Sequence, residues 1–536
     1  MNTSVAIVLG VFAAATLALP MLASHRYVRI AVCILPWVVS VVEIIRFRRA
    51  TLLIQSPLNP DEALFLASAI KTQAGGWIPW VDVDSGTVGP LVPDALLPGL
   101  LALPDAPYFG ARMLGIICIV AMAIGVALLG RRVLGWPVAQ LFASLVLMLA
   151  VIPAAVDLYT YSSELLPLAF AVLGMGLAVD ADGKTNPRLW QFGLGFFLLG
   201  LVPYAKLQVL PVAAVWALVI LLRGGHQSGW RNRRRLLVGL TAAAAPTLLL
   251  LVGLMTSGAF RAGFGNSITF LQGYAGGSSQ GYTVVTLFLE PSIVMELVVL
   301  GVLAAVIAVI LTFLLARIAL SSELRTVMLV ALGAPVGLAS MILPGRYFPH
   351  YLWVGLIPAV VAVVAVGVVA CDCVRESDRW LARGSVVGAV VLLGVSLVLG
   401  GPLTLEPRAP ESIGVEGWSF TPLGDPTQRQ VAEILKSCQG ELAVWGWDPH
   451  IYVVSGRSHW TSGAALMSPS DPFATRWIDR AAKELPDCIV DASGPNQFAF
   501  GIGMGIDAQV SAVAFLRHYQ TIFSSENYRV YQLVDR

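Results

Sequence analysis

Apolar runs of helical length recur along this chain, separated for the most part by short polar links. They are approximately Val5–Leu22, Val28–Ile45, Met113–Gly130, Val138–Pro153, Leu165–Val179, Phe192–Pro203, Leu207–Leu222, Leu236–Met255, Ile293–Ala316, Val327–Leu343, Leu352–Ala370 and Val386–Leu399. About 20 apolar residues in a helix cover the hydrocarbon thickness of a bilayer, so the pattern predicts about twelve membrane passes. The first run has no basic stretch before it and only a loose cleavage-site match, so it reads as a retained helix. No internal repeat and no low-complexity segment interrupts the pattern.

Three stretches break the rhythm. The first is the polar link between the second and third runs, residues 46–112. It is far longer than the usual connection between helices. Asn59 is a good N-cap there, Pro60 suits the first helical position, and Glu62 stands where a capping-box acid would. A helix is expected to run to about Lys71 and to end at Gly75-Gly76. An irregular aromatic segment, Trp77–Pro90, follows, its two tryptophans suited to a membrane–water interface. Leu91–Leu103 is expected to be a second short helix along that interface. The second stretch, Phe260–Glu290, is rich in glycine and reads as a mobile gate. The third begins near Gly401, where prolines mark a linker to a C-terminal segment. Helices are expected at Gln428–Lys436 and Ala474–Glu484, and strands at Glu441–Trp445, Ile451–Val454, Cys488–Asp491 and Tyr528–Leu533. That alternation predicts a small α/β domain over residues 402–536, following a membrane domain over 1–401 that includes the loop 46–112.

Charge gives the orientation. Of 536 residues only 12% are charged and 57% are hydrophobic, too few charges to cover the surfaces of several soluble domains. Arg131-Arg132, Lys184 with Arg188, Arg223 with Arg231–Arg235, Arg317 with Arg325, and Arg375 with Arg379 and Arg383 fall on alternate links. By the positive-inside trend these links are cytoplasmic. The links Phe47–Arg112, Val156–Glu164, Tyr204–Lys206, Phe260–Glu290 and Pro344–Tyr351, and everything after Gly401, then face outside. Arg46, Arg48 and Arg49 run against the trend and are expected to cap a helix or meet anionic head groups. A formal net charge of +2 gives no reason to expect nucleic acid. No complete Gly-x-x-x-x-Gly-Lys-Ser/Thr phosphate loop and no His-Glu-x-x-His is present, which disfavours an ATP-driven pump and a zincin. Cys33 and Cys118 lie in apolar runs and read as small hydrophobes. Cys371 and Cys373 form a weak Cys-x-Cys. Cys438 and Cys488 could pair if the C-terminal segment meets an oxidising compartment.

The candidate chemistry sits in the outside links. Asp61 and Glu62 at a helix start complement its positive end and need no further role for that; beside a long loop at a membrane surface, one of them also suits a general base for a hydroxyl or amine. Asp82 and Asp84 read equally as turn residues. Glu164 opens a helix, Lys206 stands between two apolar runs where it could snorkel to the interface, and Arg346, Tyr347, His350 and Tyr351 cluster before Leu352. No cofactor is expected; Asp61 and Asp84 could hold a divalent cation, although the count of hard ligands is low.

An acidic pair opening an interfacial helix in a large first outer loop resembles the membrane-embedded GT-C glycosyltransferases. Within these it is similar to the branch of protein O-mannosyltransferases and aminoarabinose transferases. The resemblance covers about Arg46–Tyr351 in architecture, and departs from the family at the additional run Val5–Leu22. It implies an α-helical polytopic membrane protein of GT-C type with a C-terminal extracytoplasmic α/β domain. It also implies transfer of a sugar from a polyprenyl-phosphate donor, at the outer face of the cytoplasmic membrane, to a protein, glycolipid or polysaccharide. Asp61 matches the family's catalytic base and Glu62 the acid that follows it. Lys206 and Arg346, with His350, are implied phosphate ligands; Asp84, Glu164, Tyr347 and Tyr351 are implied substrate contacts. The rival reading is a polytopic transporter or lipid flippase with an outer binding domain, which midplane polar residues and internal repeats would mark.

Overall fold

The computed structural model describes residues 26–83, 88–149, 160–182, 188–223, 230–276, 322–342, 349–375, 420–438, 440–461, 463, 472–494, 506–508 and 512–534. The runs Val5–Leu22, Ile293–Ala316 and Val386–Leu399, the Cys-x-Cys partners' side chains, and the candidate residues Asp84, Arg346 and Tyr347 lie outside what is described. Among the described residues, four helices are long and apolar enough to cross a membrane: Pro107–Arg131, Arg233–Thr256, Arg325–Ile342 and Leu352–Val369. Shorter apolar helices cover Leu91–Ala102, Leu165–Ala181, Leu189–Ala205 and Leu207–Leu222. The chain is a membrane protein.

The described residues fall into two compact units that do not follow chain order. The first draws on the stretches Met1–Arg49, Gly115–Leu250 and Ser278–Ser412. The second draws on Ala50–Leu114, Leu251–Gly277 and Ile413–Arg536.

The first unit is helical. It contains most of α1 (Arg26–Leu53) and the greater part of a later long helix, Pro107–Leu134, together with Trp136–Leu149, Leu165–Asp182, Leu189–Ala205, Leu210–Arg223, Trp230–Thr256, Ser322–Val330, Gly333–Ile342 and Leu352–Arg375. Leu352–Val369 is apolar on every side and wholly buried, as a helix without a polar face must be. Close backbone approach is set by glycine. A Cβ on Gly174 would stand 2.7 Å from the Gly195 carbonyl oxygen, and one on Gly195 would stand 2.6 Å from that of Gly174. Helices Leu165–Asp182 and Leu189–Ala205 therefore meet backbone to backbone, in the manner of small-residue crossings in membranes. Arg131 and Gln191 both reach the buried Asp180, at 2.9 and 2.7 Å. Cys118 is buried and unpaired by disulfide, packed as the sequence implies.

The second unit joins the first long loop to the C-terminal segment. Its loop part holds α2 (Pro60–Gln73), α3 (Leu91–Asp94), α4 (Leu97–Ala102) and the start of α5 (Pro107–Leu134). Asn59 caps α2 by accepting from the Asp61 amide at 2.8 Å, Pro60 opens it, and Gly75 leaves it at φ +105°. The expected interfacial helix Leu91–Leu103 is instead two short helices, since Pro93 and Pro98 remove backbone donors from a continuous ladder. Phe260–Gly276 is a helix, α6 in this unit, despite the glycine content that suggested a mobile gate; residues 277–290 lie outside those described.

The C-terminal part carries α7 (Pro426–Leu435), β1 (Leu442–Trp445), α8 (His450–Ser455), α9 (Pro472–Glu484), β2 (Cys488–Asp491), β3 (Tyr519–Ser524) and β4 (Arg529–Leu533). The sheet order is β1-β2-β4-β3, with β1 and β2 parallel and the other pairs antiparallel. Trp445, Trp460, Trp477, Ile489, Phe515 and Tyr531 build its core. Cys438 and Cys488 form a disulfide with their Cα atoms 6.1 Å apart. The expected strand Ile451–Val454 is helix α8. Its β-branched run looks like a strand, but Pro449 opens it and Gly456, at φ +64°, closes it after six residues. Strand β3 was not anticipated; none of its residues is buried, which leaves little apolar signal. The two parts of the unit are stitched by backbone. Thr421 donates to the Leu53 carbonyl and Gly424 to that of Gln55, both at 3.0 Å. Phe109 and Phe420 pack edge to face at 5.3 Å.

Candidate functional site

The acid pair at the start of α2 is split by its surroundings. Glu62 is buried. Its Oε1 accepts from Arg112 Nε at 3.0 Å and its Oε2 from Arg112 Nη2 at 2.7 Å. Arg112 Nη1 donates to the carbonyls of Thr51 and Ile54, and Nη2 also donates to that of Ser56 at 2.7 Å. All five N–H groups of the guanidinium are thus used. The Thr51 and Ile54 carbonyls belong to the end of α1, where backbone acceptors lack helical partners. Glu62 Oε2 further accepts from the Leu58 amide at 3.2 Å. A capping box would bind the Asn59 amide instead; the pull of Arg112 shifts the carboxylate by one residue. Asp61, one position earlier, is half-buried on another face.

Arg112 was not singled out in the sequence. The available signal was an arginine directly at the start of an apolar run, which in a membrane chain needs a partner. Its guanidinium also lies over the Tyr108 ring, 5.3 Å from the centroid. Asp94 is a second omission. Burial raises its pKa to about 6, against the opposing hydrogen bond from Thr72.

The described first part of the aromatic segment, residues 77–83, is held by hydrogen bonds. Trp80 adopts φ +60°, a left-handed conformation rare for a bulky residue. Its amide donates to the Val83 carbonyl at 2.8 Å, and Asn266 of α6 donates to its carbonyl at 2.9 Å. Asp82 accepts from the Ile78 amide at 3.0 Å and so acts as a turn residue. Trp77 is exposed.

A different polar cluster lies in the first unit. Lys206 does not snorkel: it is buried, and its Nζ forms an ion pair with Glu164 Oε1. Nζ also donates to Ser163 Oγ at 2.7 Å, and Ser163 Oγ donates to Glu164 Oε1 at 3.0 Å. The ammonium stands 4.6 Å from the centroid of the Tyr351 ring, a cation–π distance. His350 packs edge to face on Tyr351 at 5.0 Å. Glu164 Oε2 is buried and has no hydrogen-bond partner among the described residues. The fold therefore brings Glu164, Lys206, His350 and Tyr351 together, with Ser163 as an added member. Polar residues gathered this way inside an apolar helical unit are costly unless they serve a purpose. No group of three or more metal-ligating side chains occurs among the described residues.

No protein-family model matches the sequence, and no curated protein matches it either. Solved structures do. ArnT from Cupriavidus metallidurans in the apo state superposes with a TM-score of 0.52 at 14% identity, covering 93% of this chain and 98% of that one. The same protein bound to undecaprenyl phosphate gives 0.54 at 14% identity, covering 93% and 97%. Archaeal oligosaccharyltransferase AglB from Archaeoglobus fulgidus matches more loosely, at 0.41 and 12% identity over 96% of this chain and 75% of that one. The chain therefore shares the fold of ArnT, a GT-C glycosyltransferase, in line with the resemblance that its acid pair and loop architecture carry.

Proposed function

We propose that this chain is a membrane glycosyltransferase. It takes a sugar from a polyprenyl-phosphate donor and passes it to a hydroxyl or amine acceptor on protein, glycolipid or polysaccharide. The observation that supports the reading best is the likeness in fold to ArnT, one of whose structures holds undecaprenyl phosphate. In this reading the chain crosses the cytoplasmic membrane about twelve times. Residues 1–401 form its membrane domain, and the acidic loop and residues 402–536 face outside. A transporter or flippase finds no comparable support.

Asp61 removes the acceptor proton. The freed oxygen or nitrogen forms a bond to the anomeric carbon, the bond from that carbon to the phosphate oxygen breaks, and the lipid phosphate departs. One displacement inverts the anomeric centre. Glu62 is held by Arg112 and keeps the helix start in place. Lys206 and Arg346, assisted by His350, neutralise the departing phosphate, the kind of fixed electrostatic help that such a leaving group needs. Glu164 Oε2, which has no hydrogen-bond partner among the described residues, is an acceptor and suits a sugar hydroxyl rather than a phosphate oxygen. Asp84, Tyr347 and Tyr351 complete the substrate contacts.

The test incubates purified protein in lipid with a panel of labelled polyprenyl-phosphate sugars and a membrane extract as acceptor. Transfer from one donor is expected, and Asp61→Asn should lower kcat by about 10²–10⁴-fold. No transfer from any donor defeats the transferase reading. A wild-type rate in Asp61→Asn defeats the choice of base.

A further inference from the structure

Within the second unit, buried polar contacts run without a break from the start of α2 into the α/β segment. The Arg112 pair holds Glu62, and the Arg112 guanidinium lies on the Tyr108 ring. The Tyr108 hydroxyl meets His450 Nδ1 at 2.5 Å. The His450 amide donates to Asp448 Oδ1 at 3.2 Å. Asp448 Oδ2 accepts from the Tyr528 hydroxyl at 2.6 Å and from Gln428 at 3.3 Å. Glu62 and Arg112 are 1% exposed, Tyr108 and His450 0%, Asp448 2% and Tyr528 3%. These side chains come from α2, α5, α7, the β1–α8 turn and the start of β4, five places far apart in sequence.

Each contact is specific because each partner would be expensive alone. A buried hydroxyl or ring nitrogen without a hydrogen bond loses the full desolvation cost. His450 Nε2 has no hydrogen-bond partner among the described residues, so the side chain is anchored at Nδ1. Burial and the nearby Arg112 charge push the His450 pKa down to about 3, so the ring is neutral near pH 7 and meets the phenol as a neutral partner. Alternative packing cannot replace this contact with water, because both groups are closed to it.

We propose that the α/β segment is a positioning element for the acidic loop: His450, through Tyr108 and the Arg112 pair, fixes the start of α2 and with it the backbone that carries Asp61. The proposal rests on the reading of Asp61 as general base and extends it. A base must be held to within a fraction of an ångström of its productive position. A helix at the start of a long loop does not hold that precision alone. Tyr108, Arg112 and His450 are positioning residues here, since each acts through its neighbour. Tyr528 and Gln428 brace Asp448, which in turn holds the turn that presents His450.

The test compares full-length wild type with Tyr108→Phe, His450→Leu and His450→Asn by hydrogen exchange and by sugar transfer. Asparagine places an amide where Nδ1 stands, so it keeps the contact to Tyr108. In Tyr108→Phe and His450→Leu, the amides of Leu58, Asn59, Asp61 and Glu62 should exchange about tenfold faster, while β2 and β4 keep their protection. Their kcat should fall by about 10–100-fold with the donor KM within about twofold, and His450→Asn should restore both readouts. Unchanged exchange at residues 58–62 in folded Tyr108→Phe and His450→Leu overturns the proposal, whatever the transfer rates. Protection lost equally in β2 and β4 marks a merely structural contact and overturns it too. Wild type that shows the exchange pattern and transfers no sugar overturns only the transferase reading.

Discussion

Arg112 grips Glu62 at two points, Nε to Oε1 at 3.0 Å and Nη2 to Oε2 at 2.7 Å, with both side chains closed to solvent. The geometry is a fork on a carboxylate, which a lysine does not reproduce. It also ties three carbonyls of the segment that leaves α1 to the acid at the start of α2. The pair therefore sets the path of the chain into the acidic loop.

Removing one member leaves a buried charge without its counterion. Arg112→Gln should destabilise the protein by about 3–5 kcal/mol, and the double variant Glu62→Gln/Arg112→Gln by less than Glu62→Gln and Arg112→Gln summed. Thermal unfolding of the four proteins in one detergent checks this. Asp61→Asn in the same series should unfold near the wild-type temperature, separating the catalytic acid from the structural one.

Lys206 and Glu164 form the corresponding pair in the first unit, and here ligand binding is an additional readout. Lys206→Met should cost about 3–5 kcal/mol, because Glu164 is left buried and unpaired. Glu164→Gln/Lys206→Met should recover much of that stability. If Lys206 also serves the lipid phosphate, undecaprenyl phosphate should bind the stable double variant roughly tenfold more weakly than wild type. Equal binding would remove Lys206 from the donor site.

The buried groups of the second unit make its stability depend on pH in two opposing ways. His450 and His459 are pushed down to about 3, in each case chiefly by burial. Their unfolded value is about 6.5, so below that pH the unfolded chain takes up protons that the folded one refuses. Stability from these histidines is present above about pH 6.5 and is lost as the pH falls towards 3. Asp94 and Asp448 are raised to about 6, again chiefly by burial. Their unfolded value is about 3.9, so the folded state holds the extra proton, and their contribution is full below pH 3.9 and lost as the pH rises through 6. The two effects offset between about pH 4 and 6. Asp448→Asn should uncover the histidine effect, giving a steeper fall in unfolding temperature over that range than wild type. An identical slope would count against the raised Asp448 pKa.

The disulfide Cys438–Cys488 closes a separation of 50 residues. Restricting the unfolded chain over such a loop is worth about 4 kcal/mol. Reduction, or Cys488→Ala, should lower the stability of the α/β segment by about that amount, read as loss of amide protection in β1 and β2. Loss confined to the termini would show that the bond adds little.

Local chemistry was legible where it acts over a few residues. The Asn59 cap, the Pro60 start and the Gly75 exit bound α2 as their conformational preferences require, and the apolar runs that fall within the described residues are helices at close to their expected positions. The disulfide partners could be named as a possible pair, and Glu164, Lys206, His350 and Tyr351 could each be picked out as polar residues beside apolar runs. Two local readings failed for a physical reason. The Ile451–Val454 run has strand composition, yet Pro449 and Gly456 leave room for one short helix and burial accepts it. Phe260–Gly276 has the glycines of a loop, yet Gly263 and Asn266 let it lie against the aromatic segment as a helix.

Sequence by itself determined the membrane character of the chain, the approximate positions of its described apolar helices and several of the polar residues out of keeping with their surroundings. Only the tertiary structure decided which of them meet. Glu62 finds Arg112 fifty positions away, Lys206 finds Glu164, and Tyr108 finds His450 across most of the chain. Such pairings carry no periodic signal. They arise because a charge or donor buried in an apolar surround must find a partner, and the partner is whichever residue the packing of distant segments delivers.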